Sequence, residues 1–116
     1  MSQKNLLITI HHAPHASVFV AEGLRAAMGA TSSVDEHNVT VLFLGDGAWA
    51  ALAGVDRSEV VRSVDTLIDL GYELKLDGES LAERGIRAEE VAHDIGIVSR
   101  PQLLALVEAA DFTIDF

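Results

Sequence analysis

Four short polar stretches hold the side chains most able to do chemistry: His11-His12-Ala13-Pro14-His15, Gly45-Asp46-Gly47, Asp77-Gly78-Glu79-Ser80 and Ser99-Arg100. Three imidazoles with one open position would suit a catalytic zinc. The spacing argues against it, because adjacent His11 and His12 point to opposite sides of an extended chain, and no His-Glu-x-x-His pattern occurs. No metal is therefore expected. His15, close to the start of the first helix, is placed to help hold an anion there. Gly45-Asp46-Gly47 has neither phosphate-loop signature and reads as a tight turn, with Asp46 capping a short helix over residues 48–52.

Asp77 stands where a helix opens. A carboxylate there is stabilised as the anion and is a poor proton donor near neutrality. Ser80 with Glu83 forms a competing capping box one turn later. Ser80 also lacks the Gly-x-Ser-x-Gly elbow of a hydrolase nucleophile, and no second carboxylate stands at a predictable separation. No catalytic residue and no cofactor are expected. The ligand-binding candidates are His11, His12, His15, Asp46, Asp77 and Arg100.

The elements that must position these loops alternate between strand and helix. Leu6-Leu7-Ile8-Thr9-Ile10 and Val39-Thr40-Val41-Leu42-Phe43-Leu44 are apolar runs of the kind expected for strands buried on both faces. Tyr72-Glu73-Leu74-Lys75-Leu76 alternates strictly, so one of its faces is apolar and the other charged. Ile95-Gly96-Ile97-Val98 is a weaker fourth strand, and Phe112-Thr113-Ile114-Asp115-Phe116 alternates again. Between them run apolar stripes at helical spacing: Val20, Leu24, Ala27 and Met28; Val60, Val64, Leu67, Ile68 and Gly71; Leu103, Leu106, Val107 and Ala110. Asp56 with Glu59, and Ser99 with Gln102, are capping pairs, and Pro101 fits a first helical turn. The expectation is one domain over residues 1–116, an α/β three-layer sandwich with a mostly parallel sheet of about five strands. Its strand-end loops meet on one edge, where such sheets bind ligands.

Composition narrows the function classes. The chain has 116 residues, 49% hydrophobic and 22% charged, which is a globular and not a disordered composition. The formal charge is −10, and Lys and Arg total eight without forming a stripe, so direct nucleic-acid binding is not expected. No apolar run approaches the ~20 residues of a membrane span, and the N-terminus carries no cleavage signal. The cytoplasm is the expected location. The cysteine count is zero, which excludes thiol catalysis by this chain.

Several ordered segments resemble the DsrE/DsrF-like sulfur-relay family, of the DsrEFH/TusBCD type, and within it the TusC/DsrF-type subunits. These are Ala13-Pro14-His15-Ala16 with Glu22-Gly23-Leu24; Val41-Leu42-Phe43-Leu44-Gly45-Asp46-Gly47 with Trp49; Ser80-Leu81-Ala82-Glu83-Arg84-Gly85-Ile86; and Ala110-Asp111-Phe112-Thr113-Ile114-Asp115-Phe116. The resemblance implies a small α/β fold with a parallel sheet. It also implies assembly, commonly as a heterohexamer of related subunits, and a cytoplasmic relay of sulfur in tRNA thiolation or sulfur oxidation. In the carrier subunits a sulfur-accepting cysteine stands eight residues before the Arg-Gly glycine. Here that position is Asp77, which cannot carry a persulfide.

The resemblance thus implies a non-catalytic subunit. Its expected partners are cysteine-bearing DsrE/TusD-type and DsrH/TusB-type homologues, or further copies of itself. Trp49, Tyr72, Leu74, Phe112 and Phe116 are the interface candidates, since exposed aromatics are enriched at interfaces and the two alternating strands offer apolar faces. An alternative reading is a stand-alone homo-oligomer that binds a small anion or nucleotide at the strand-end loops.

Overall fold

The apolar runs form five parallel strands: β1 (Asn5–Ile10), β2 (Asn38–Phe43), β3 (Glu73–Asp77), β4 (Gly96–Val98) and β5 (Phe112–Asp115). The computed structural model describes residues 3–15, 18–31, 37–58 and 60–116. The strand order is β4-β3-β2-β1-β5. β1 and β2 lie inside the sheet, and Leu7, Ile8, Thr9 and Ile10 of β1 are all buried, as are Val39, Val41, Leu42 and Phe43 of β2. That burial on both faces is why these two strands read as continuous apolar runs.

The chain steps in one direction from β1 to β4 and then returns past β1 to β5. Right-handed crossovers place connections that run in opposite directions on opposite faces. Accordingly α1 (Phe19–Thr31), α2 (Val61–Asp69) and the segments leading into β4 share one core with Ile8, Ile10, Val41, Leu74 and Leu76. The returning helix, α4 (Arg100–Ala109), covers Leu7, Leu42 and Val98 on the other face through Leu103. The three-layer sandwich expected from the sequence is thus the observed fold. A short helix, α3 (Gly78–Glu83), follows β3 directly.

Local signals explain the helix ends. Ser99 caps α4 in a capping box with Gln102, and Pro101 lies in the first turn. Gly71, at φ +88, ends α2. Its N–H donates to the Ile68 carbonyl, and the Tyr72 N–H donates to that of Leu67, both at 2.9 Å. This is the Schellman pattern, which glycine enters without strain.

Several sequence expectations are corrected. Asp46 is not a cap: a 3-10 helix spans Gly45–Ala51, its N-cap is Leu44, and no side chain caps it. Asp56 accepts the Ser58 N–H at 2.9 Å well before the helix, and α2 starts after Val60 with no side-chain cap. Glu59 and Ala16 lie outside the described residues. Val107 is 45% exposed and does not join Leu103 and Leu106 in the core. Among the described residues no helix is long and apolar enough to cross a membrane.

Candidate functional site

Asp77 is the last residue of β3 and the N-cap of α3, so its side chain must turn back over the strand ends. The side chain is 1% exposed. Its Oδ2 accepts the Ser80 hydroxyl at 2.7 Å and the Arg100 Nη2–H at 2.9 Å. Its Oδ1 accepts the Glu79 N–H at 3.4 Å and Arg100 Nε–H at 3.4 Å. Burial pushes the carboxyl pKa up, but the hydrogen bonds from Ser80 and Arg100 and the guanidinium charge outweigh it and hold the group below the usual carboxylate range. The Arg100 guanidinium is raised in turn, chiefly by its hydrogen bond to Asp77. Arg100 Nε also lies 2.9 Å from Glu79 Oε2.

Ser80 extends the network to β2. Its Oγ accepts the Gly45 N–H at 2.9 Å while donating to Asp77. Arg84, one turn on, donates from Nη1 to the Ser80 carbonyl at 3.2 Å and from Nη2 to Asp46 Oδ1 at 2.9 Å. The exits of β2, β3 and β4 are thereby bound together. The chemistry available is limited: a buried carboxylate held as the anion near neutrality and met by donors from Ser80, Arg100 and Glu79 is a poor proton donor and a poor nucleophile. The serine hydroxyl is committed to that carboxylate, whose lowered pKa makes it a weak base.

The histidines do not join this network. His11 belongs to the β1–β5 edge. Its backbone N–H donates to the Phe116 carbonyl at 2.8 Å, and its Nε2 lies 3.1 Å from Thr9 Oγ1. Thr9 gives its hydroxyl proton to Asp115 Oδ1, which leaves its oxygen free to accept from His11 in the tautomer protonated at Nε2. His12 stacks on Phe19 at 4.2 Å between ring centroids. His15 lines two adjoining grooves: one of about 320 Å³ with Arg57 and Val60, the other of about 610 Å³ with Trp49, Leu52 and Val55. Arg57 is itself paired with Asp94 at 3.0 Å. Among the described residues no three His, Asp or Glu side chains gather as a metal-binding group.

Of the interface candidates, Trp49 is 39% and Phe112 58% exposed. Tyr72 and Phe116 are half-buried against the main core, and Leu74 is only 3% exposed within it. Leu74 is therefore core and no contact surface, because α2 and its neighbours fill the apolar face of β3. Sequence reasoning missed Ser80 as a hydrogen-bond relay, Arg84 as a clasp on Asp46, and the Thr9–Asp115 bond. The first two had a signal, since residues 77, 80 and 84 lie on one face of the helix that opens there. The third had none.

A profile of the DsrE/DsrF-like family matches residues 4–116. The chain belongs to that family. Two curated relatives align over nearly the whole length. A "Protein TusC homolog" from Vibrio parahaemolyticus is 29% identical and covers 100% of both chains. One of the same name from Pasteurella multocida is 27% identical, covering 96% of this chain and 98% of its own. Among solved structures, the E. coli ychN protein superposes with a TM-score of 0.83 at 20% identity, covering 98% of this chain and 99% of that one. MTH1491 from Methanobacterium thermoautotrophicum, titled a protein of unknown function, gives 0.76 at 12% identity, covering 98% and 100%. These structural likenesses establish the α/β fold with its parallel sheet.

Proposed function

We propose that this chain is a non-catalytic, cysteine-less subunit of a cytoplasmic sulfur-relay complex of the DsrEFH/TusBCD type, in which persulfide is carried by a cysteine-bearing partner. The observation that carries the reading is the state of Asp77. A chain matched by the DsrE/DsrF-like family over residues 4–116, and similar to TusC homologues, holds a buried and fully bonded carboxylate at the position that the resemblance assigns to the sulfur-accepting cysteine. A helix-start site that would lower a thiol pKa here stabilises an aspartate and ties three strand ends together. The scaffold is kept and the transfer chemistry is absent.

Two measurements test this. The purified protein, treated with a sulfane-sulfur donor, takes up no sulfur by intact mass spectrometry. Mixed with the cysteine-bearing DsrE/TusD-type and DsrH/TusB-type homologues from its own genome, it forms a complex of defined stoichiometry in native mass spectrometry. A protein that stays alone with every such homologue would refute the reading.

One observation favours the alternative of a stand-alone anion or nucleotide binder. The two grooves share Pro14, His15 and Val55, and the larger has a volume in the usual range for ligand pockets. Of the residues expected to serve that role, Arg100 and His11 are engaged elsewhere, and only His15 lines the grooves. If this reading holds, His15→Ala weakens binding of inorganic phosphate or a nucleotide in calorimetry, and no change refutes it.

A further inference from the structure

Among the described residues, helix α4 stands alone on its side of the sheet. Leu103, with Leu106 and Ala110 beside it, provides the inward stripe. The remaining positions face outward: Pro101, Leu104, Ala105, Val107 and Ala109 are all exposed, and within residues 101–110 only Gln102 and Glu108 are polar. Leu104 is 55% and Val107 45% exposed. They lie one turn apart on the same flank and form a continuous apolar stripe. A surface helix normally turns a polar face to water, and one that is apolar all round is normally enclosed by protein.

The charges at the two ends of this stripe say what kind of protein encloses it. At the N-terminal end Arg100 is paired with both Asp77 and Glu79, so carboxylates outnumber the cation. At the C-terminal end stand Glu108 and Asp111, and beyond Arg100 the sequence contains no further Lys or Arg. Both ends are acidic in a chain of formal charge −10. A second copy laid against α4 in either direction would bring carboxylates to carboxylates, which opposes association. An apolar surface flanked at both ends by Lys or Arg would complement it.

We propose that the outer face of α4 is the docking surface for a non-identical partner whose contact patch is apolar with basic ends. Under the subunit reading above, on which this inference rests, that partner is a cysteine-bearing homologue. The surface is continuous with the Asp77 network, because Arg100 both opens α4 and holds Asp77. A partner seated there lies beside the β3 and β4 exits.

The test uses the full chain mixed with its cysteine-bearing homologues, with affinity read by titration and stoichiometry by native mass spectrometry. Leu104→Asp and Val107→Asp are placed at exposed positions, and an unchanged thermal melt confirms that each variant folds. Each weakens the mixed complex at least about tenfold, as loss of a central apolar contact does. Glu108→Lys also weakens it, more at low salt than at high salt, because it meets basic groups. A mixed complex that forms with the wild type and is untouched by Leu104→Asp overturns the docking surface while leaving the subunit reading intact. A wild type that forms no mixed complex overturns both. A homo-oligomer that Leu104→Asp dissociates overturns the choice of a non-identical partner.

Discussion

Arg100 and Asp77 stand 23 positions apart in sequence, at the ends of adjacent strands, and their side chains meet at 2.9 Å between Nη2 and Oδ2. The two partners differ in exposure: the carboxylate is 1% and the guanidinium 47% exposed. A buried charge is tolerated only where its lone pairs are met, and here Ser80, Arg100 and the Glu79 N–H meet them. The pair therefore acts as a latch between β3 and β4, the shortest strand of the sheet.

The latch makes stability depend on pH at the acidic end. The unfolded Asp77 carboxyl titrates near 3.8, and in the folded protein it titrates lower. Near and below that value the unfolded chain binds more protons, so stability rises with pH there. The contribution is complete well above pH 3.8 and is lost as pH falls through the depressed folded value. Asp94 adds a contribution of the same sign, held low first by its hydrogen bond from Arg57. Asp77→Asn is expected to flatten the fall in melting temperature between about pH 5 and pH 2 relative to wild type. An unaltered acid limb would show that Asp77 keeps its ordinary pKa.

Ser80→Ala removes a hydroxyl that serves two buried partners. It leaves the Gly45 N–H without its 2.9 Å acceptor and Asp77 without its shortest donor. With Ser80 3% exposed, water has little access to replace either bond. The expected loss is about 1–3 kcal/mol in chemical denaturation. Ser80→Cys, which keeps only a weak donor, should recover less than half of it.

How much of this was legible from the sequence depended on the range of the interaction. The Ser99–Gln102 capping box and the first-turn Pro101 are local and appear as expected. The strands of β1 and β2 were visible because burial on both faces leaves an unbroken apolar run. Strand order was not, since it depends on which helices pack on which face. Leu74 looked available for contact because alternation shows that a face is apolar, not whether the chain's own helices already fill it. Val107 fits the Leu103 stripe by spacing, yet the sheet touched by α4 is covered by Leu103 and its nearest inward neighbours alone. The Arg100–Asp77 and Thr9–Asp115 contacts follow from strand adjacency, which no local pattern encodes.

Ser99→Ala tests how far that local capping box carries α4. The serine hydroxyl accepts the Gln102 N–H at 3.3 Å, and the Gln102 side chain accepts the Ser99 N–H at 2.8 Å. Loss of the cap costs about 1 kcal/mol. It should also loosen Arg100, the next residue, so hydrogen exchange at Glu79 and Ser80 is expected to quicken while exchange in β1 does not. Equal quickening throughout would mean that the cap stabilises the whole domain and not this corner.

Gly47→Ala probes the closest backbone approach at the strand-end edge. A Cβ built at Gly47 would lie 1.9 Å from the Ile10 carbonyl oxygen and 2.8 Å from its carbon, far inside van der Waals contact. Both obstacles are backbone atoms of Ile10, a fully buried residue of a strand whose position is fixed by pairing with β2 and β5, so no side-chain rotation relieves the clash. The 3-10 helix would have to move away from β1, pulling Gly45 from Ser80 and disturbing the Asp77 network. Overpacking against side chains typically costs about 1–3 kcal/mol, and against backbone the loss should be at the top of that range or prevent folding. Gly29→Ala is the matched comparison: it lies within α1, at negative φ, and its Cβ would meet nothing within 4 Å. That substitution should stabilise by about 0.4–1 kcal/mol. Melting curves of the two variants should therefore shift in opposite directions, and a Gly47→Ala protein as stable as wild type would show that the 3-10 helix does not rest on β1.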